Sequence, residues 1–167
     1  MSRRLASLAL ARDNRIPLLH RPGFLDMLLR AATTGETPEI KRQALRTLCN
    51  VAASEDTVVS IVRHAGLLDM VVHVAAAPGA QCKDARGEAV RTLANLAVSK
   101  DVGMTLYHTP GLLDALVGVA DPANNANADT NEARTDAMNG LVNLSDADEI
   151  KPLLYQRAGF VVMVLRG

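Results

Sequence analysis

Three aspartates stand at matching positions of this chain and are the first candidates for acid–base chemistry. Asp26, Asp69 and Asp114 each follow a glycine by three residues. General acid–base catalysis requires catalytic groups within hydrogen-bond reach of one substrate. The spacing of more than 40 residues instead places each aspartate at the start of a separate helix. An acidic side chain there stabilises the positive end of the helix dipole, so we predict a structural role for all three.

A polar loop further along the chain has the ligand spacing of a calcium-binding loop. Oxygen-bearing side chains fall at positions 1, 3, 5, 7 and 12 of this segment, at Asn125, Asn127, Asp129, Asn131 and Asp136. However, Thr130 occupies the position that requires glycine, and the last ligand is an aspartate rather than a glutamate. We therefore predict a solvated loop.

Other chemical motifs are missing from the sequence. Cys49 and Cys82 have no cysteine or histidine neighbour at zinc-ligand spacing. No phosphate-binding loop, serine-hydrolase or zinc-protease motif occurs. We expect a protein that is not an enzyme and that uses no cofactor and no metal.

The strongest pattern in the chain is an asparagine that recurs within apolar segments. The segments read RTLCNVAAS, RTLANLAVS and NGLVNLSDA, and they place Asn50, Asn95 and Asn143 at equivalent positions. A glycine follows each asparagine after 16 residues, and Ser7 precedes Gly23 by the same interval. Such internal periodicity is typical of repeat proteins.

Each asparagine belongs to a predicted amphipathic helix, the third and longest of its repeat unit. Apolar residues occupy positions −6, −5, −2 and +1 relative to the asparagine, which is a helical spacing. They are Ala44, Leu45, Leu48 and Val51; Ala89, Val90, Leu93 and Leu96; and Ala137, Met138, Leu141 and Leu144. Thr37 and Pro38 have the residue types of a helix cap and a first helical position.

A short helix, a glycine turn and two longer helices, repeated every 43 to 48 residues, resemble the armadillo repeat. The resemblance implies an all-α fold, a right-handed α-solenoid of armadillo repeats. Its expected units are the end of a preceding repeat at 1–12, three repeats at 13–54, 55–99 and 100–147, and a truncated repeat at 148–167.

The resemblance also implies a role for the repeated asparagines. In armadillo proteins that bind extended peptides, equivalent asparagines line the concave face and hold the backbone of the partner. Asn50, Asn95 and Asn143 match that position, while Ser7 departs from it. The alternative is a structural role, in which each amide bonds to a neighbouring loop or turn.

The position one helical turn earlier distinguishes between armadillo subfamilies. The importin-α family carries tryptophan there, and this chain contains no tryptophan. The residues present instead are Arg3, Arg46, Arg91 and Asn139. A row of arginines resembles the basic groove of β-catenin-like proteins, which bind acidic segments. Alternatively, these arginines are solvated or paired with nearby Glu88 or Asp136.

Bulk composition restricts the partners. Eighteen basic and eighteen acidic residues cancel, so no overall positive field attracts nucleic acid. No apolar run reaches the length of a membrane span. We expect a cytoplasmic or nuclear scaffold that binds a protein or an extended, acidic peptide. The alternative is a regulatory segment acting in cis within a larger polypeptide. Self-association through the uncapped C-terminal end is a further expectation.

Overall fold

A computed structural model describes residues 3–121, 124 and 129–156, and this part of the chain contains helices and no strand. The α-helices are α1 (Arg3–Leu10), α2 (Arg12–Leu19), α3 (Phe24–Thr34), α4 (Pro38–Ala52), α5 (Glu55–Arg63), α6 (Leu67–Ala75), α7 (Lys83–Leu96), α8 (Gly103–His108), α9 (Leu112–Ala120), α10 (Asn131–Ser145) and α11 (Lys151–Tyr155). Two short 3₁₀ helices span Ala80–Cys82 and Lys100–Val102. The all-α class is therefore confirmed.

The predicted apolar stripes of α4, α7 and α10 form the centre of the core. Eleven of their twelve residues are buried, and Leu45, Leu48, Val51 and Leu96 are fully inaccessible. The prediction for Met138 is wrong, because its side chain is 40% exposed. Leu45 holds the equivalent position of α4, and its side chain faces helices of the following unit. For Met138 of α10, the corresponding segment follows α11 and lies outside the described residues.

Local capping chemistry determines where two of the long helices begin. The Thr37 hydroxyl accepts a hydrogen bond from the Ile40 amide at 3.2 Å, and Pro38 is the first residue of α4, as predicted. At the start of α10, Thr130 accepts from the Ala133 amide at 3.1 Å. Each hydroxyl satisfies one of the amides that an α-helix leaves unpaired at its first turn.

Glycine forms the turn between the first and second helices of each unit. Gly23, Gly66 and Gly111 have φ angles of 73°, 74° and 78°, in the left-handed region that other residues adopt at a cost. This confirms the predicted sharp turn at three positions, while its equivalent at Gly159 lies outside the described residues. Asp26, Asp69 and Asp114 lie in the first turns of α3, α6 and α9, as predicted.

The helices pack in three rows. The long helices α1, α4, α7 and α10 contact one another in chain order, and α3, α6 and α9 form a second row beside them. Each second-row helix also packs on the long helix that follows it, as α3 does on α4 and α9 on α10. The shorter α2 and α5 contact each other in the third row.

Within the described residues, no single helix combines the length and the apolar composition that a membrane crossing requires. One bent pair, α5 with α6, meets both criteria only when the two helices are taken together. The proposed truncated repeat at 148–167 is described only as far as residue 156. The end of the chain to which we assigned self-association therefore lies outside the described residues.

We predict that replacing Gly66 by a residue with a Cβ costs about 1–2 kcal/mol of stability, because the backbone there has a positive φ angle. Gly66→Ala is expected to lower the free energy of unfolding by that amount, measured by urea denaturation. Gly87→Ala is the matched control, because a Cβ at either position meets its nearest neighbour at 3.8 Å but Gly87 is helical. The control is expected to gain about 0.5–1 kcal/mol. Equal effects in both variants would contradict the prediction.

Candidate functional site

The three repeated asparagines make one hydrogen bond of the same kind. Each side-chain amide donates to a backbone carbonyl of the preceding long helix, and each acceptor lies immediately before the equivalent position of that helix. The bonds run from Asn50 to Ala6 at 2.9 Å, from Asn95 to Cys49 at 3.1 Å, and from Asn143 to Ala94 at 3.2 Å. The repeated amide therefore joins neighbouring long helices.

The acceptor of Asn143 shows why an amide is favoured at this position, whereas the Cys49 carbonyl also accepts from the Ala53 amide at 3.1 Å. The last carbonyls of an α-helix have no intrahelical partner. Ala94 lies in the last turn of α7. In a continuing α-helix the amide of Val98 would donate to the Ala94 carbonyl, but here it donates to the Asn95 carbonyl oxygen at 3.4 Å. Asn143 supplies a donor to the Ala94 carbonyl. Sequence reasoning considered loops and turns as structural partners and missed this contact, because the acceptor lies 44 to 49 residues away.

The inter-helix bond leaves each asparagine with part of its bonding capacity. An amide side chain offers two donors and one acceptor oxygen. All three asparagines are half-buried, and none has a partner for its oxygen within the described residues. At Asn50 and Asn143 one N–H and the Oδ1 remain, which is the complement of a single peptide group. The Asn95 amide nitrogen also contacts Cys49 Sγ at 3.5 Å, and its Oδ1 remains. The predicted contact with a peptide backbone thus stays a prediction that is compatible with the structural bond.

The two arginines of the predicted site have different environments. Arg91 donates through Nε to Asp136 Oδ2 at 2.9 Å and also pairs with Glu132. Burial lowers the pKa of its guanidinium, but the hydrogen bond and the charge of Asp136 outweigh this, and the net shift is upward. Arg46 is exposed and makes no hydrogen bond or ion pair within the described residues. One arginine is therefore paired, as one alternative had it, and the other is solvated.

The remaining members of the predicted row are less informative. Asn139 is exposed on α10 and has no bonding partner in the part of the chain that the structure describes. The side chain of Arg3 lies outside the described residues. Ser7, which departs from the asparagine pattern, is exposed on α1.

Sequence reasoning treated Glu88 only as a partner for arginine, and the structure gives it a different status. Its half-buried carboxylate on α7 makes no hydrogen bond or ion pair within the described residues. Burial raises the pKa of Glu88, while the charges of Arg91, Arg46 and Arg42 act in the opposite direction. The sequence signal was the three-residue spacing from Glu88 to Arg91, which places both on one helix face.

Two neighbouring cavities lie along the long helices, and the charged side chains described above contribute to their linings. A cavity of about 320 Å³ between α1 and α4 is lined by Ser7, Gln43 and Arg46 among others. A second cavity, of about 160 Å³, is enclosed by Glu88, Arg91 and residues of α10. Arg42 lines both cavities and is held by Glu39 at 3.0 Å and 3.1 Å. We call the surface formed by these two cavities and the row of asparagines the third-helix groove. Its charged members are Arg42, Arg46, Lys83, Asp84, Glu88, Arg91, Glu132 and Asp136.

The described part of the calcium-like loop is used for ion pairs. Asp129 accepts a hydrogen bond from Arg86 Nε at 2.6 Å, and Asp136 pairs with Arg91. Asn131 is the first residue of α10. Asn125 and Asn127 lie outside the described residues.

Other candidates for chemistry do not converge on a site. Among residues 3–121, 124 and 129–156, no three His, Cys, Asp or Glu side chains are placed to hold a metal ion. Asp26 bonds to His64 Nε2 at 3.1 Å, at the contact between successive units. Burial raises the pKa of the Cys49 thiol to about 12, which makes it a poor nucleophile at neutral pH.

No protein-family model matches this chain, and a search of the curated proteins gives no significant match.

The inter-helix amide bond predicts a loss of stability when its donor is removed. Asn95→Ala is expected to lower the free energy of unfolding by about 1 kcal/mol, because one hydrogen bond to the Cys49 carbonyl is lost while the bond from the Ala53 amide stays. Asn139→Ala is the control, since Asn139 is exposed and unbonded on an equivalent helix. The control is expected to stay within about 0.5 kcal/mol of wild type. Equal losses in urea denaturation would contradict the assignment.

The burial of Glu88 predicts a pH-dependent stability difference. Because its pKa is raised above 4.5 in the folded state, ionisation costs folded-state stability as the pH rises through the folded pKa. Glu88→Gln is therefore expected to be more stable than wild type at pH 7. The two proteins should converge below about pH 4, where glutamate is protonated in the folded and unfolded states. Urea denaturation across this range provides the measurement, with the exposed Glu36→Gln as control. A gap that widens toward low pH would refute the assignment.

Proposed function

We propose that this chain is an armadillo-repeat protein, a right-handed α-solenoid that serves as a non-catalytic protein-binding scaffold. Its units run in the order short helix, glycine turn, second helix and long helix. The support is the recurrence of left-handed glycines at Gly23, Gly66 and Gly111 together with the packing of equivalent helices in rows. The repeated amide bonds add a constant register between successive long helices.

In this proposal the third-helix groove holds an extended peptide or a segment of a partner domain. The observation that carries the proposal is the line of asparagine oxygens along α4, α7 and α10, none of which has a partner within the described residues. An extended peptide presents its own amide groups at intervals and needs such donors and acceptors. The exposed and unpaired Arg46 adds a cationic contact in the same groove.

A reducing compartment, the cytoplasm or the nucleus, fits the two cysteines, which are both free. Cys49 is buried in the core, so its thiol contributes to packing. We propose no enzymatic activity, because the polar groups of the groove are used for pairing between helices or remain open without a nucleophile–base pair.

Selection from a random peptide library against the 167-residue chain tests the proposal. We expect selected peptides to bind with dissociation constants on the order of 1–100 μM, the range of modest peptide recognition. Hydrogen exchange of the complex should show protection along the faces of α4, α7 and α10 that carry the asparagines. Protection confined to α3, α6 and α9, or an empty selection, would overturn the proposal.

A pair of blocking substitutions provides the control. Asn139→Trp should weaken every selected peptide at least tenfold, because it fills the groove from an exposed and unbonded position. Arg63→Trp, at an exposed position of α5 outside the groove, should leave binding unchanged. If the Arg63 variant weakens binding as much, the peptide occupies another surface.

A further inference from the structure

The third-helix groove has a net positive charge at one end. Arg42 is matched by Glu39 through two hydrogen bonds, at 3.0 Å and 3.1 Å. Arg46 is exposed, lines the cavity between α1 and α4, and makes no hydrogen bond or ion pair within the described residues. An incoming carboxylate can therefore pair with Arg46 without breaking a hydrogen bond or ion pair, and an arginine can bind it through two N–H groups.

The other end of the groove has a net negative charge. Arg91 is the partner of two acidic side chains of α10, Glu132 and Asp136. Glu88 lies beside them in the same cavity and has no hydrogen bond or ion pair within the described residues. The cavity at this end is lined by four carboxylates, of Asp84, Glu88, Glu132 and Asp136, and by three cations, of Arg42, Lys83 and Arg91. Because Glu39 already pairs with Arg42, the acidic groups are in excess. An acidic ligand would have to displace both partners of Arg91, whereas a cationic side chain finds an unpaired carboxylate.

We propose that the third-helix groove selects an extended peptide of mixed charge, with an acidic side chain placed on Arg46 and a basic side chain placed at Glu88. This inference rests on the proposed peptide-binding function and specifies the class of ligand. Packed helices lie about 8–10 Å apart, and an extended peptide advances about 3.3 Å per residue. Because side chains of an extended peptide alternate between its two faces, the two charged residues must be an even number of positions apart. A separation of two positions, about 6.6 Å, is the same-face spacing nearest to the distance between the helices.

The same arrangement rejects peptides of a single charge. A uniformly acidic peptide meets Arg46 favourably but then reaches Glu88, Glu132 and Asp136. A uniformly basic peptide meets those carboxylates favourably but is repelled by Arg46. Juxtaposed like charges disfavour the wrong partner, so the pattern determines specificity as much as affinity.

Glu88 is retained at a cost to stability, which is consistent with a role in binding. Its half-buried carboxylate lacks a hydrogen-bond donor, and a glutamine of the same shape would avoid the desolvation of a charge. Residues of a binding site commonly carry such costs, because their polar groups are arranged for the ligand rather than for the free protein.

Four peptides of equal length and neutral background test the inference. One carries Glu-x-Lys, one carries Lys-x-Glu, one carries two glutamates and one carries two lysines at the same positions. Fluorescence anisotropy at physiological ionic strength is expected to show that one mixed order binds at least tenfold more tightly than the other three peptides. The preferred order reports the direction of the peptide chain in the groove. The preference should shrink at high salt, because the contacts are only partly shielded from solvent.

A charge exchange within the protein tests the assigned residues. The double variant Arg46→Glu/Glu88→Lys is expected to reverse the preferred order of the mixed peptides by at least tenfold. The matched control, Arg63→Glu/Glu149→Lys, makes the same exchange at exposed positions outside the groove and should keep the wild-type order. Arg46→Gln and Glu88→Gln are the milder pair, to be used if circular dichroism shows that the double variant is unfolded. Arg46→Gln should weaken only the preference for the acidic ligand residue, and Glu88→Gln only the preference for the basic ligand residue.

The possible outcomes separate this inference from the proposed function. If the peptide with two glutamates binds most tightly, or if the double variant keeps the wild-type order, the mixed-charge inference is overturned while peptide binding stands. If library selection yields no groove-binding peptide at all, the proposed function itself fails. A reversed order in the double variant, with the control unchanged, supports both.

Discussion

The register between successive long helices is the constraint on which the rest of the molecule depends. Burial of a leucine contributes about 1.5–3 kcal/mol, and the stripes of α4, α7 and α10 bury many such side chains. Apolar packing alone tolerates small slides of one helix along another. The amide bonds of Asn50, Asn95 and Asn143 do not tolerate such a slide, because a shift of one turn would separate a half-buried donor from its carbonyl. Packing therefore holds the helices together, and the amides define their relative positions.

A second contact between units lies in the loops that precede the long helices. Arg86 is fully buried and donates to Ala77 O at 2.7 Å, Gly79 O at 3.1 Å and Asp129 Oδ1 at 2.6 Å. It thereby joins the turn after α6 to the chain segment just before α10. Removal of one partner from such a buried, hydrogen-bonded ion pair strongly destabilises the fold, because the remaining charge is left unpaired. The pair secures the start of α7 relative to α10, whereas the amide bonds lie near the end of α7.

The groove acquires its charge pattern as a consequence of this packing. When α7 and α10 lie side by side, Glu132 and Asp136 come within bonding distance of Arg91. No acidic residue of the described chain reaches Arg46 in the same way. Two arginines at equivalent positions thus differ in their availability, although their sequence contexts, RTLCN and RTLAN, are nearly identical. The proposed preference for a mixed-charge ligand arises from this difference.

The sequence by itself determined the local features of this protein. Helical periodicity identified the apolar stripes, Thr37 and Pro38 marked the start of α4, and the glycine of each turn was recognisable because its φ angle depends only on neighbouring atoms. Each of these features arises within about one helical turn of the residue concerned.

Only the tertiary structure decided the partner of each asparagine, the pairing of Arg91 and the half-burial of Glu88. The physical reason is that these properties depend on residues 41 to 49 positions away, and a shift in the packing register would change all of them at once. Met138 shows the same limit, since its position in an apolar stripe predicted burial. An apolar side chain is buried only when a neighbouring element covers it, and periodicity within one helix carries no information about that neighbour.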